Sequence, residues 1–227
     1  MTKPKIVSVK NGPFEVYGVK TYRSAAGKKV PLNVDDSGKA ILCRCGQSFE
    51  KPYCDGSHII FEFEDEKEPS RSEDKVDVYE GIHITIYDNR GVCSHRGICY
   101  EDLKEVFQME GKMRIDPDAV TVDKIIDICE RCPSGALSYA LPSGERNLEG
   151  EDSEGEIRMA PRRYGYDGPI EITGGIQFKD SEGNRPESSS HYALCRCGNS
   201  KNMPFCSGQH WSAKFIDESN DEEEEEN

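Results

Sequence analysis

The chain is poor in apolar residues: only 35% of its 227 residues are hydrophobic, it has one Trp, and its mean hydropathy is −0.74. A single compact domain of this length would carry a larger apolar fraction, so two or three small domains with thin cores are expected. No stretch approaches the ~18 consecutive apolar residues of a membrane span, and no membrane partner is expected. The first residues, Met1 to Lys5, lead into alternating sequence without the apolar segment of a secretory signal, so a cytoplasmic location is expected. Positive charge is also scarce, with 29 Lys and Arg against 43 Asp and Glu, a net charge of −14. The stretch from Asp217 to Asn227 holds eight acids and no base, leaving −6 on the rest of the chain. Nucleic acid is not an expected partner, because its backbone needs clustered positive charge. No Gly-rich phosphate loop after a strand, nucleophile elbow or His-Glu-x-x-His motif is found. Catalysis on an organic substrate is therefore not expected, and the chain is read as a non-enzyme.

What the chain does have is ten cysteines. Without an export signal they favour metal or redox chemistry over a disulfide framework. They are also arranged in a repeat. Cys43-Arg-Cys-Gly-Gln-Ser recurs as Cys195-Arg-Cys-Gly-Asn-Ser, and Gly12-Pro-Phe-Glu-Val-Tyr-Gly18 has a partner in Gly168-Pro-Ile-Glu-Ile-Thr-Gly174. Residues 1–64 and 157–217 are thus two copies of one unit, and 76–141 belongs to neither. Glu64–Lys75 and Pro142–Gly155 are charged and poorly apolar, and read as linkers. The residues from 218 to 227 read as an acidic, disordered tail.

The fold class expected is α+β. Short apolar runs broken by Gly and Pro make the repeats β-rich: Ile6, Val7, Val9, Phe14, Val16 and Val19 in the first, echoed by Ile170, Ile172 and Ile176. In the middle segment Ile82, Ile84 and Ile86 alternate as a strand. Leu103, Val106 and Phe107 have helical spacing, as do Val122, Ile125, Ile126 and Cys129, and Leu137–Leu141 reads as a closing strand.

The candidate ligands are Cys43, Cys45, Cys54 and His58 in the first copy, and Cys195, Cys197, Cys206 and His210 in the second. Their offsets of two, nine and four are identical, with Gly, Ser and Pro in register between them. Three thiolates and an imidazole suit tetrahedral iron or zinc. Zinc hairpins usually use Cys-x₂₋₄-Cys rather than Cys-x-Cys, which favours iron. Asp55-Gly-Ser-His58 reads as a helix entry with Asp55, or Ser207 in the second copy, as the N-cap. Both histidines would then lie in a first helical turn, where free N–H groups favour a negatively charged cluster.

The run Cys43-x-Cys-x-x-Ser-x-x-x-Pro-x-Cys54-Asp-Gly-Ser-His58 resembles the signature of the CDGSH iron–sulfur (mitoNEET-type) family. The second copy has Ser207 and Gln209 where the signature has Asp and Ser, and keeps all four ligand types. The resemblance implies one 2Fe–2S cluster per motif. Cys43 and Cys45 would share one iron, with Cys54 and His58 on the exposed one. Cys195 would likewise pair with Cys197, and Cys206 with His210. It also implies a β-cap in which two units pair about a two-fold axis, here within one chain or in a homodimer.

The middle segment contains Cys93-Ser-His-Arg-Gly-Ile-Cys99 and, later, Cys129-Glu-Arg-Cys132-Pro133-Ser-Gly-Ala-Leu. It resembles a divergent single-cluster 4Fe–4S domain. Cys93, Cys99 and the Cys132-Pro133 pair match ferredoxin positions, while Arg96 stands where a further cysteine is usual. Three readings of the fourth ligand remain open: Cys129, though it falls on an apolar helix face; His95; or none, in a 3Fe–4S cluster. His83 and His191 read as exposed or loosely packed side chains.

One-electron exchange at iron is the chemistry these residues can support. Replacing one thiolate by a neutral imidazole should raise the potential above that of all-cysteine centres, in the direction of Rieske centres. The primary reading is one-electron transfer between redox partner proteins. The alternative is cluster transfer, storage or redox and pH sensing with a cluster acceptor, through a His–Fe bond open to protonation. A purely structural metalloprotein is the third class.

Overall fold

In the computed structural model, residues 3–110, 112–148 and 155–222 are described. The chain is α+β and β-rich, as expected. The first copy supplies β1 (Lys5–Ser8), β2 (Phe14–Tyr17), β3 (Thr21–Arg23), β4 (Lys29–Pro31), β5 (Lys39–Leu42) and the short helix α1 (Ser57–Ile60). The middle segment supplies β6 (Val76–Glu80), β7 (Thr85–Asn89), α2 (Ile98–Asp102), β8 (Phe107–Glu110), β9 (Lys112–Ile115), α3 (Val122–Glu130) and β10 (Leu137–Ala140). The second copy supplies β11 (Glu156–Met159), β12 (Ile170–Thr173), β13 (Gln177–Asp180), β14 (Tyr192–Leu194) and a last turn, α4 (Ser219–Glu222).

The two copies exchange strands. One sheet has the order β13-β1-β2-β5 and the other β14-β12-β11-β3-β4. Each therefore takes an edge from the opposite copy: β13 lies parallel to β1, with Phe178 opposite Ile6, and β3 lies parallel to β11, with Arg23 opposite Arg158. The strands alternate buried and half-buried residues, so each presents one apolar face. Those faces meet in one core, where Ile6, Phe14, Val16 and Tyr22 of the first copy pack with Ile157, Ile172, Tyr192 and Leu194 of the second. A 60-residue unit alone buries only about 60% of its unfolded surface. Sharing a core gives two thin units the interior neither has by itself.

The middle segment has its own core, formed by the sheet β10-β7-β6, the hairpin β8–β9 and helix α3. Helix α3 matches the expected periodicity, with Ile125, Ile128 and Cys129 buried. Two local expectations fail. Strand β7 starts at Thr85, which leaves Ile82 exposed and His83 in the preceding turn. Leu103, Val106 and Phe107 are buried, but Leu103 ends α2 and Phe107 opens β8. Three apolar residues within five positions fit a tight turn into a core as well as they fit a helix.

The acidic end also departs from expectation. Asn220 is buried and donates to Asp167, so the chain stays packed on the second copy as far as Asn220. The remainder of the predicted tail, 223–227, lies outside the described residues, as do 149–154 of the second predicted linker.

Candidate metal centres

Each Cys₃His set is built by the same backbone device. The chain leaves β5 at Cys43 and folds back: Cys43 N donates to Pro52 O at 2.9 Å, and Cys54 N to Ile41 O at 3.0 Å. In the second copy Cys195 N donates to Pro204 O at 3.0 Å and Cys206 N to Ala193 O at 2.9 Å. The loop is closed internally by the Ser48 hydroxyl on Tyr53 O and by the Ser200 hydroxyl on Phe205 O, both at 2.6 Å. This accounts for the shared serine.

The donors then come in pairs. Cys43 and Cys45 Sγ are 3.8 Å apart and Cys195 and Cys197 Sγ 3.7 Å apart. Cys54 Sγ lies 3.4 Å from His58 Nδ1, and Cys206 Sγ 3.5 Å from His210 Nδ1. Two sulfurs ~2.3 Å from one tetrahedral metal would be about 3.8 Å apart, and a sulfur and an imidazole nitrogen about 3.6 Å apart. All four pairs meet that test, so the residues fit a metal on each pair. Backbone N–H groups also point at the sulfurs, from Gln47 to Cys45 at 3.5 Å and from Gly208 to Cys206 at 3.4 Å. In each cysteine pair a hydrogen bond from the neighbour holds one thiol low, to about 6 at Cys43 and about 7 at Cys195. The neighbours Cys45 and Cys197 are pushed up. A metal would displace the proton such a pair shares.

The expected helix entry is corrected. The residue preceding α1 is Gly56, at φ 91°, with no side-chain cap on the helix. The Asp55 carboxylate closes the loop, accepting from Phe49 N and Ser57 N at 2.9 Å each; these N–H groups hold it well below the usual carboxylate range. In the second copy Ser207 accepts from Lys201 N at 2.9 Å, and the segment after it forms turns. A short side chain one residue before a left-handed glycine reaches the loop amide across from it, so the cap role goes unfilled.

The arginine inside each Cys-x-Cys was not singled out in the sequence. Arg44 and Arg196 are almost wholly buried. Their Nε atoms donate to Gly12 O (2.7 Å) and Gly168 O (2.8 Å), the repeated glycines. Arg44 is paired with Asp65 at 2.6 Å and Arg196 with Asp217. Phe63 lies over Arg44 and Phe215 over Arg196. The signal was present in the sequence, since Phe63-x-Asp65 and Phe215-x-Asp217 keep the same separation from the cysteines.

The copies meet at their cysteine loops. A Cβ on Gly46 would stand 2.6 Å from Cys197 O, and one on Gly198 would collide with Cys45 O. Both glycines have φ near +75° and allow the two loops to touch.

The environments differ, however. Cys54 and His58 are half-buried, beside exposed Phe49, Ile59, Ile60 and Phe61. Cys206 and His210 are buried, so the exposed-iron expectation does not hold for the second copy. Trp211 packs on the His210 ring at 4.8 Å between centroids. Burial, with Arg96 and Arg196 nearby, pushes His210 down to about 4 and keeps it neutral.

In the middle segment Cys93, Cys99 and Cys132 line one small cavity, with Asp88, Arg90 and Arg96. Arg90 approaches Cys93 Sγ at 3.6 Å. Burial pushes the Cys93 thiol up to about 12 and the Cys99 thiol up to about 11. Three thiols facing one cavity, with arginines at its wall, fit an anionic cluster. Cys129 does not line it: it is buried in the apolar core and borders a separate cavity with His191. His95 is not in its lining either. His191 is half-buried, with its Nδ1 2.9 Å from Ser190 Oγ and its Nε2 without a hydrogen-bond partner among the described residues.

Comparison with known proteins agrees with this layout. The profile described as "Iron-binding zinc finger CDGSH type" matches residues 11–59 and 167–211, and "Divergent 4Fe-4S mono-cluster" matches 79–142. "Uncharacterized protein YjdI" of Escherichia coli strain K12 is 38% identical over 61 residues, 27% of this chain and 80% of that protein. The protein of the same name from Escherichia coli O157:H7 shares the same figures. The chain belongs to the CDGSH iron-binding family, with a divergent 4Fe–4S mono-cluster domain between its two copies. It is an iron–sulfur protein. Among the described residues, no helix is long and apolar enough to cross a membrane.

Proposed function

We infer that this protein carries electrons one at a time between redox partner proteins. The ligands assigned are Cys43, Cys45, Cys54 and His58 to one 2Fe–2S cluster, and Cys195, Cys197, Cys206 and His210 to a second. Cys93, Cys99 and Cys132 are assigned to a 4Fe–4S or 3Fe–4S cluster, with Cys129 left to the core. The observation that carries this reading is the pairing of donors. Each repeat holds its four donors as two pairs, cysteine with cysteine and cysteine with histidine, each pair at the separation that two ligands of one metal take. Two pairs suit a binuclear cluster better than a single zinc, which would gather all four donors.

Bound at these residues, iron–sulfur clusters supply one-electron redox centres whose potentials follow ligand type, hydrogen bonds and exposure. The chain's own residues set those terms. The neutral imidazoles remove one negative charge from each Cys₃His set, the N–H groups of Gln47 and Gly208 approach the sulfurs, and burial of Cys206 and His210 excludes water. Arg44 and Arg196 tie each loop to the repeated glycine, Gly12 or Gly168, with their charge balanced by Asp65 and Asp217. No pocket residue is assigned to catalysis on an organic substrate, and the location proposed is cytoplasmic.

A second reading applies to the first copy alone. The half-exposed Cys54–His58 pair within an apolar surface favours release of a cluster to an acceptor, or sensing, from that site. Iron and acid-labile sulfide per chain, with a spectroscopic redox titration, test the primary reading. Reversible cycling of all centres in the presence of an apo-ferredoxin supports electron transfer. Metal without labile sulfide, or transfer to the acceptor in place of cycling, counts against it.

A further inference from the structure

The middle segment does not sit evenly between the two copies. The loop after Cys93 reaches the second-copy centre. His95 lies at φ 55°, a left-handed conformation uncommon outside glycine, and its N–H is 3.4 Å from Cys93 Sγ. Its side chain rests on Gly208, where a Cβ would come within 2.6 Å of the His95 ring atom Cδ2 and 2.9 Å of its Cγ and Cβ. Gly208 in turn directs its N–H at Cys206 Sγ, 3.4 Å away. The indole N–H of Trp211 donates to His95 O at 3.1 Å, while the Trp211 ring packs on His210. A sulfur of the middle site and a sulfur of the second-copy site are thus linked by two N–H···S contacts and one close packing contact. In the first copy the equivalent position is Gly56, which has open space within 4 Å, and Ile59 stands exposed where the second copy has Trp211.

We propose that the middle and second-copy centres form an electron-exchanging pair coupled through the His95–Gly208 contact, with the first-copy centre outside that pair. This deepens the electron-carrier reading and rests on it. In the exchange one electron leaves the reduced centre and enters the oxidised one. No covalent bond forms or breaks, no proton is required, and the electron is loaded by an external one-electron reductant. His95 is a positioning residue, because it touches neither cluster as a ligand.

The test uses the full-length holo-protein. Iron and labile sulfide are counted first, and a sample without labile sulfide sinks the underlying reading by that count alone. His58→Cys and His210→Cys then identify the two Cys₃His signals by electron paramagnetic resonance. In the wild type, reduction of the middle centre should speed spin relaxation of the second-copy signal more than that of the first. After substoichiometric reduction and rapid freezing, electrons should redistribute between the middle and second-copy centres in a fast phase. His95→Asn keeps a residue that tolerates the left-handed backbone while removing the ring. It should retain the wild-type iron content and midpoint potentials and lose the fast phase. Gly208→Ala should show the same loss, while Gly56→Ala, with similar backbone strain and no neighbour to displace, should keep it. Equal relaxation of both Cys₃His signals, or an unchanged fast phase in His95→Asn with iron content intact, overturns the proposal.

Discussion

Gly46→Ala tests whether the two copies are one structural unit. Gly46 is at φ 76°, and an added Cβ would stand 2.6 Å from Cys197 O and 2.8 Å from its carbonyl carbon, both backbone atoms of the other copy. Left-handed backbone costs an alanine about 1–2 kcal/mol. Forcing two packed backbones apart adds ~1–3 kcal/mol, the range for overpacking a close-packed interior. The sum, about 2–5 kcal/mol, is a large share of the ~5–15 kcal/mol by which a domain is stable. At roughly 2–4 °C per kcal/mol for a chain this size, the melting temperature should fall by about 4–20 °C. Gly38→Ala is the control, because Gly38 has φ 77° and nothing within 4 Å of the new methyl. It should show the backbone component alone. The assay follows far-ultraviolet circular dichroism and visible absorbance together through the melt, and then loss of colour to an iron chelator at low temperature. Gly46→Ala should hasten iron loss from the second copy as well as its own, because the displaced atom belongs to Cys197. If Gly46→Ala melts with Gly38→Ala, and only first-copy iron becomes labile, the two loops are not in contact and the paired architecture is wrong.

Four further outcomes are expected. Asp65→Asn leaves the Arg44 guanidinium buried without its carboxylate and should destabilise the protein by about 3–5 kcal/mol; a chemical-denaturation midpoint close to wild type would show that its other acceptors, Gly12 O, Val9 O and the Ser8 hydroxyl, satisfy Arg44 by themselves. A chelator should bleach the Cys₃His centres in two phases, the first-copy centre going first, because Cys54 and His58 are half-buried while Cys206 and His210 are buried; the reverse order in His58→Cys and His210→Cys samples would contradict this. Cys129→Ala should keep the middle centre's iron and lower stability, whereas Cys132→Ala should lose that iron, as metal analysis of each variant will show. Light scattering should give a mass near 25.5 kDa, since both members of the expected pair lie within one chain.

Much of this was legible in the residues, because ligands act through type and spacing. The offsets of two, nine and four recur in both copies, and the structure draws each set into donor pairs. Helix α3 was legible because Ile125 and Cys129 are buried and Val122 and Ile126 pack half-buried against the same core, along one face of a nine-residue element. Leu103, Val106 and Phe107 were misread because a turn and a helix bury the same spacing over so few residues. The Asp55 cap was misread because the carboxylate found a partner, Phe49 N, that only the folded loop brings near. Strand exchange had no local signal: nothing in Gln177–Asp180 distinguishes pairing with β1 from pairing within its own copy. The Arg44–Asp65 and Arg196–Asp217 pairs were readable, but only by carrying the repeat past the histidines.

The same reasoning explains how a near-symmetric sequence yields unlike sites. The exchange of β13 and β3 and the contact of the two cysteine loops make the ends of the chain alike, so both inherit the same donor geometry. The inserted segment is single and can pack against only one of them. Its Cys93–His95 loop covers the second copy, where Gly208, His210 and Trp211 receive it, and leaves Gly56 and the Phe49, Ile59 and Ile60 side chains of the first copy open. Burial and hydrogen bonding tune an iron–sulfur centre together with its ligands. One covered site and one open site, built from the same motif, are therefore two different environments: the covered one packed against the middle segment, and the open one facing solvent.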